Sequence, residues 1–204
     1  MSSRTEQEKF WAGEFGNAYI GRNSSDDLVS SNIAFFSKAL GCLSKSPDSI
    51  LEIGANIGLN LLALKDLYPQ TRMTAIEVNS EACNKLAPIV DEVKNLSFLE
   101  YETKDVFELV LIKTVLIHIN PKDLQITYKK IAELSSRYVL IAEYFNPTPV
   151  SIDYRGHKNR LFKRDFAGEF LKTNPDWKIR DYGFVYHGDQ FPQDDITWFL
   201  LSSE

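Results

Sequence analysis

The stretch Leu51-Glu52-Ile53-Gly54-Ala55-Asn56-Ile57-Gly58-Leu59-Asn60 constrains this chain more than any other. The apolar run Ile50 to Ile53 reads as a short buried strand that ends at Gly54. Apolar residues at helical spacing follow from Leu59 to Tyr68 and stop at Pro69. A strand that turns through glycine straight into a helix allows a backbone conformation closed to residues with a Cβ, and it lets a ligand approach the bare backbone. Gly58 lets the helix begin close to the sheet. The helix start then offers free N–H groups and partial positive charge.

The same alternation continues. Met73 to Val78 reads as a second strand, and Ser80 as the N-cap of a helix Glu81 to Leu86 with Pro88 beyond it. A weak third strand falls within Asp91 to Glu100, and Phe107 to Lys113 is a strong fourth. Asn120 and Pro121 open a helix to about Ser135, and Arg137 to Glu143 is a fifth strand. Strands alternating with helices imply a parallel sheet with helices on both faces. After a helix Asp165 to Thr173, the runs Lys178 to Tyr186 and Ile196 to Ser202 have no helix between them, which predicts a hairpin at one sheet edge. Upstream, Glu6 to Phe15 is a short amphipathic piece. The polar segment Asn17 to Asp27 separates it from a helical pattern over Leu28 to Leu43. Residues 1–45 read as a helical cap on a core of 46–204, all one domain.

Glu77 lies at the end of the second strand, about twenty residues beyond the glycine turn, where a carboxylate can bond both hydroxyls of a ribose. Together the turn and Glu77 describe an adenosine pocket. A dinucleotide fingerprint spaces three glycines G-x-G-x-x-G for a pyrophosphate. The spacing here is E-x-G-x-x-x-G, with Asn60 beyond it. That form is similar to motif I of class I methyltransferases, whose cofactor carries no phosphate, and the terminal hairpin fits the same fold.

Longer segments narrow the likeness. They are Phe10-Trp11-Ala12-Gly13-Glu14-Phe15-Gly16, Tyr19-Ile20-Gly21-Arg22-Asn23 and Lys113-Thr114-Val115-Leu116-Ile117-His118-Ile119-Asn120-Pro121. Further on come Glu143-Tyr144-Phe145-Asn146-Pro147, Tyr154-Arg155-Gly156-His157, Leu161-Phe162-Lys163-Arg164-Asp165-Phe166, Asp181-Tyr182-Gly183-Phe184-Val185 and Asp194-Asp195-Ile196-Thr197-Trp198-Phe199. This set resembles the pseudaminic acid biosynthesis-associated methylases of bacteria over nearly the whole chain. The resemblance implies a Rossmann-like class I methyltransferase fold, a seven-stranded, mostly parallel sheet with an antiparallel C-terminal strand. It also implies S-adenosylmethionine as cofactor, S-adenosylhomocysteine as product, and an acceptor among the nonulosonic, sialic-acid-like sugars or their activated precursors. The chain departs from the pattern at Glu108, where Asp is more usual, and in its poorly marked third strand.

The candidate cofactor contacts are Tyr19, Arg22, Glu52, Gly54, Ala55, Asn56, Gly58, Asn60, Glu77, Val78, Leu96, Ser97, Lys113 and Thr114. Tyr19 and Arg22 would close over the methionine end, with Arg22 pairing its carboxylate. The candidate substrate contacts are Tyr144, Asn146, Tyr154, Arg155, Arg160, Lys163 and Arg164; the basic residues among them stand out in an acidic chain and would suit an anionic acceptor. His118 and His157 are the candidate bases, since a sugar hydroxyl must lose a proton to become a good nucleophile. Each basic, aromatic or histidine position also has a structural reading, as solvated face, core packing or loop support.

Composition excludes several partners. A net charge of −5 gives little general attraction to nucleic acid. No apolar run is long enough to span a membrane. The start MSSRTEQEKFW lacks the apolar segment of a secretory signal, so a cytoplasmic location is expected. Cys42 and Cys83 share no metal-binding spacing, no histidine pair does either, and no metal is expected. A nucleotide-dependent oxidoreductase and a non-catalytic cofactor-binding module remain as alternatives. Oligomeric state is not legible.

Overall fold

A computed structural model describes residues 5–21 and 26–203. Its centre is a seven-stranded sheet in the order β3-β2-β1-β4-β5-β9-β8. Strands β1 (Ser49–Ile53), β2 (Arg72–Glu77), β3 (Glu92–Asn95), β4 (Phe107–Lys113) and β5 (Ser135–Glu143) run parallel. β9 (Ile196–Ser202) pairs antiparallel with both β5 and β8 (Lys178–Val185), the edge hairpin expected from the tail. This is the Rossmann-like class I methyltransferase arrangement. Strand order reverses between β1 and β4, and at such a switch point the strand ends splay loops apart and leave a crevice.

Helices cover both faces, so the central strands are apolar throughout rather than alternating. On one face Leu109 and Leu111 of β4 pack with Phe36 of α3 (Asp26–Ala39) and Leu40 just beyond it, Leu61 and Leu64 of α4 (Leu59–Leu67), and Trp198 of β9. On the other, Val110 and Ile112 meet Tyr128 and Ile131 of α6 (Leu124–Leu134) and Phe166 and Phe170 of α7 (Phe166–Thr173). Each buried side chain of this size contributes about 1.5–3 kcal/mol.

Several local expectations change. The N-terminal amphipathic piece is two helices, α1 (Glu6–Ala12) and α2 (Glu14–Ile20), broken at Gly13. Tyr19 is therefore helical rather than in a loop. α1 is fixed by a capping box between Thr5 and Glu8. Of the segment read as a cap, α3 packs into the core and reaches the cavity through Leu28 and Asn32, and α1 and α2 lie across the strand ends. Helix α5 (Ser80–Leu86) is capped by Asn79, whose side chain accepts from the Ala82 N–H, and not by Ser80. Asn120 and Pro121 form a turn, and α6 begins only at Leu124. A second sheet, β6 (Val150–Tyr154) with β7 (His157–Lys163), has no counterpart among the elements expected from the sequence. Its tip is the two-residue turn Arg155-Gly156, with φ of 49° and 83°, the pattern of a type I′ hairpin.

Candidate active site

A cavity of about 470 Å³ opens at the C-terminal ends of β1, β2 and β4, where the strand order reverses. Its floor is the glycine turn. Gly54 has φ +71°, and a Cβ there would lie 2.6 Å from Val115 Cγ2, so only glycine fits without displacement. Asn56 also sits in the left-handed region, at φ 49°. Its N–H donates to Glu77 Oε2 at 2.8 Å, and the Asn79 N–H donates to Glu77 Oε1 at 2.8 Å. Glu77 thus ties the β1 turn to the β2 turn. Each carboxylate oxygen keeps a further lone pair for a ligand. Burial raises the Glu77 pKa, and these backbone N–H groups oppose the rise.

At the β3 end, Leu96 and Ser97 line the cavity, and the Ser97 hydroxyl bonds the Glu8 carboxylate of α1. α1 is also held by Gln7 Nε2 donating to the Asn159 carbonyl at 3.2 Å and by Glu6 pairing with Arg160 at 3.5 Å. α2 is held by Asn17, which bonds Glu81 at 2.6 Å and Asn79 at 2.7 Å. The two helices form the roof.

At the β4 end the wall is aromatic. His118, in the 3₁₀ turn Leu116–His118, lies 4.6 Å from the Trp11 ring and 5.1 Å from the Tyr154 ring. Its Nδ1–H donates to the Arg160 carbonyl of β7 at 2.6 Å, which leaves the lone pair on Nε2. Burial pushes the ring down to about 4, against the smaller opposing effect of that carbonyl. Thr114, a β-branched residue at φ 56°, sits in a conformation such residues rarely adopt, and it lines the cavity.

A charged cluster underlies this end. Glu143 Oε1 accepts from the Val115 and Leu116 N–H groups, each at 2.8 Å, while burial lifts its pKa to about 8. Glu52 Oε1 accepts from Asn60 Nδ2 at 2.6 Å, and burial lifts its pKa to about 7. Burial lowers Lys113 to about 8, partly offset by Glu52, Asp194 and Glu143.

Of the sequence candidates, Tyr19, Gly54, Ala55, Asn56, Asn60, Glu77, Val78, Leu96, Ser97, Lys113, Thr114, His118, Tyr144 and Tyr154 line one cavity. Glu52 and Gly58 lie behind the lining and shape the turn. Arg22 lies outside the described residues. The basic set does not converge on the cavity. Arg164 is held by Glu169 at 2.8 Å, and Arg160 by Glu6 and the Phe10 ring. Arg155 is at the exposed hairpin tip, and the Asn146 side chain closes a local turn on Thr148. Lys163 lies over the Tyr144 ring at 5.1 Å, behind the cavity wall. His157 is exposed and packs on Phe10 and Phe15, away from the lining. Residues contiguous in sequence do not share one surface here, because a hairpin sends alternate side chains to opposite faces.

The lining also includes His187, and Gln7, Trp11, Asn32, Asn120, Asp123, Gln193 and Asp194, which are not among the sequence candidates. Of these, the Trp11, Asn120 and Asp194 segments carried a signal, through the family resemblance. Among the described residues no group of three His, Cys, Asp or Glu could hold a metal, and no helix is long and apolar enough to cross a membrane.

No protein-family model and no curated protein sequence matches the chain. Solved structures do match in fold. Magnesium protoporphyrin IX methyltransferase from Synechocystis PCC 6803 with bound SAM has 12% identity and a TM-score of 0.65, over 99% of both chains. The 1,6-didemethyltoxoflavin-N1-methyltransferase of Burkholderia thailandensis, with its acceptor and S-adenosylhomocysteine bound, has 14% identity and a TM-score of 0.70, over 96% of this chain and 86% of the other. The N-methyltransferase NodS from Bradyrhizobium japonicum WM9 has 13% identity and a TM-score of 0.64, over 87% and 97%. At these identities the likeness is one of architecture: the chain has the class I methyltransferase fold.

Proposed function

We propose that this chain is an S-adenosylmethionine-dependent methyltransferase acting on a small polar acceptor, and that the acceptor is a nonulosonic acid or its activated precursor. One observation carries the activity. A single cavity joins the glycine turn and Glu77 at one end to His118, Tyr154 and Trp11 at the other. An adenosine-bearing donor and its acceptor would then share one cavity. The acceptor class rests on the sequence resemblance.

The residues present fit the cofactor. Glu77 has lone pairs left for ribose hydroxyls, the Gly54 backbone is bare on the cavity side, and Leu96 and Ser97 flank the adenine position. Tyr19 of α2 lines the cavity and would face the methionine end. When bound, S-adenosylmethionine supplies a methyl group activated on a sulfonium. The chain's part is to align that group with the acceptor, where proximity and orientation carry most of the rate. α1 and α2 cover the cavity and exclude water. Tyr154 and Trp11, whose rings lie by His118, would meet the acceptor, and His118 Nε2, which keeps its lone pair, would take its proton. Lys163 and Arg155, behind the Tyr144 and Tyr154 rings, add positive potential on the acceptor side.

The test is a transfer assay with S-adenosylmethionine labelled in its methyl group. Free and nucleotide-activated nonulosonic acids are offered beside neutral hexose analogues. Label in an acidic sugar, with little in its neutral analogue, is the expected result. Faster turnover of the neutral analogue would overturn the acceptor assignment.

A further inference from the structure

Lys113 ends β4 and lines the cavity, yet its ammonium makes a single hydrogen bond, to Asn32 Oδ1 at 3.3 Å. It has no ion pair among the described residues. The carboxylates whose charge it feels make their hydrogen bonds elsewhere, Glu52 to Asn60, Glu143 to two backbone N–H groups and Asp194 to the Tyr144 hydroxyl at 3.4 Å, while the second oxygens of Glu52 and Glu143 are buried with no hydrogen-bond partner among the described residues. Beyond that bond the half-buried ammonium has the Phe35 ring face 5.7 Å away, which leaves two of its three N–H groups for a partner in the cavity. Asn32 poses the same question from α3. It is only 5% exposed and lines the cavity, and its Oδ1 accepts from both Lys113 and Gln193 Nε2, the latter at 3.1 Å. Lysine can only donate, so Oδ1 faces Lys113 and the Asn32 NH₂ remains for another acceptor. A half-buried cation and a buried amide donor, side by side on a cavity wall, make a site for a small carboxylate.

Topology says which carboxylate. The sheet order β3-β2-β1-β4 places Ser97, Glu77, the Gly54 turn and Lys113 in sequence across the cavity floor. β1 and β4 are paired with Ile53 opposite Ile112, so Lys113 stands beside Gly54. A ligand with adenine near Ser97 and ribose at Glu77 runs its tail over β1 towards β4.

We infer that Lys113 and Asn32 together hold the α-carboxylate of the cofactor's methionine moiety, an inference that rests on the cofactor reading above. The burial that lowers Lys113 makes it responsive to such a partner, since a bound anion favours the charged amine. Gln193, from the loop between β8 and β9, orients Asn32 and so couples that loop to the occupied site.

The experiment is calorimetry with two ligands, S-adenosylhomocysteine and 5′-methylthioadenosine, which lacks the amino-acid part. The proteins are the wild type, Lys113→Met and Asn32→Asp. The second variant keeps size and shape but places a competing carboxylate against Lys113. Both variants should bind S-adenosylhomocysteine about 10- to 100-fold more weakly, the range for a charge-assisted hydrogen bond, and 5′-methylthioadenosine within about twofold of wild type. Equal loss for both ligands would mean a general structural role and overturn the inference. Unchanged S-adenosylhomocysteine affinity would overturn it too, and leave the amine for the acceptor. A wild type that binds neither ligand would bring down the cofactor reading itself, a result distinct from the other two.

Discussion

Glu77 carries two roles that substitution can separate. Its two oxygens accept the Asn56 and Asn79 N–H groups, each at 2.8 Å, and so pin the turn after β1 to the turn after β2. Asn79 is 3% exposed and has no water to turn to if the carboxylate is removed. Leaving a buried donor unsatisfied costs about 1–3 kcal/mol, so Glu77→Ala should lose about 2–6 kcal/mol with no ligand present. In a chain of this length 1 kcal/mol moves Tm by about 2–4 °C, which puts the loss at roughly 5–20 °C. Glu77→Gln keeps one acceptor oxygen and should lose about half as much. Both variants should weaken S-adenosylhomocysteine binding by roughly 10- to 100-fold through the ribose hydroxyls, with calorimetry run well below the variants' unfolding. Thermal unfolding of the ligand-free proteins measures the first role, calorimetry the second. If Glu77→Ala unfolds within about 2 °C of wild type, the carboxylate does not hold the two turns together. If Glu77→Gln retains full affinity, it does not bind the ribose.

Gly54→Ala meets both a left-handed backbone and Val115, and should cost about 2–4 kcal/mol in Tm measurements. Val115→Ala removes the two nearest atoms, so the double mutant should recover about 1–2 kcal/mol; strict additivity would show that the contact is not the cause. Burial holds His118 near 4, below its ordinary 6.5, so the unfolded chain binds more protons between those values. Stability should therefore fall as pH drops from about 6.5 to 4, and His118→Gln should flatten that part of the slope; parallel Tm–pH curves for the two proteins would refute the burial argument. If His118 Nε2 also takes the acceptor's proton, His118→Gln should lower kcat by about 100-fold or more, with the acid limb of the wild-type profile nearer pH 4 than 6.5.

The sheet was legible because its signals are local. Leu109 to Ile112 is apolar at every position, as a strand covered on both faces must be, and Glu52-x-Gly54-x-x-x-Gly58 announces its turn within seven residues. Glu77 was legible because the strand-to-strand spacing of such a unit is nearly constant. The roof and the far wall were not. Asn32 meets Gln193 across 161 positions and Gln7 meets Asn159 across 152, and no periodicity connects them. The basic residues from Arg155 to Arg164 misled for the opposite reason. Close in sequence, they are distributed by the β6–β7 hairpin to Glu6, Glu169 and solvent. Arg155-Gly156 was the available cue, since a pair that tolerates positive φ between two extended runs marks a tight hairpin.

The most direct measurement is a titration of the wild-type protein with S-adenosylhomocysteine, followed by NAD under the same conditions. The account expects saturable, one-to-one binding of S-adenosylhomocysteine, competed by S-adenosylmethionine, and binding of NAD at least tenfold weaker, because the Gly54–Gly58 turn lacks the third glycine of a pyrophosphate site. Tighter binding of NAD, or no binding of S-adenosylhomocysteine, would contradict it.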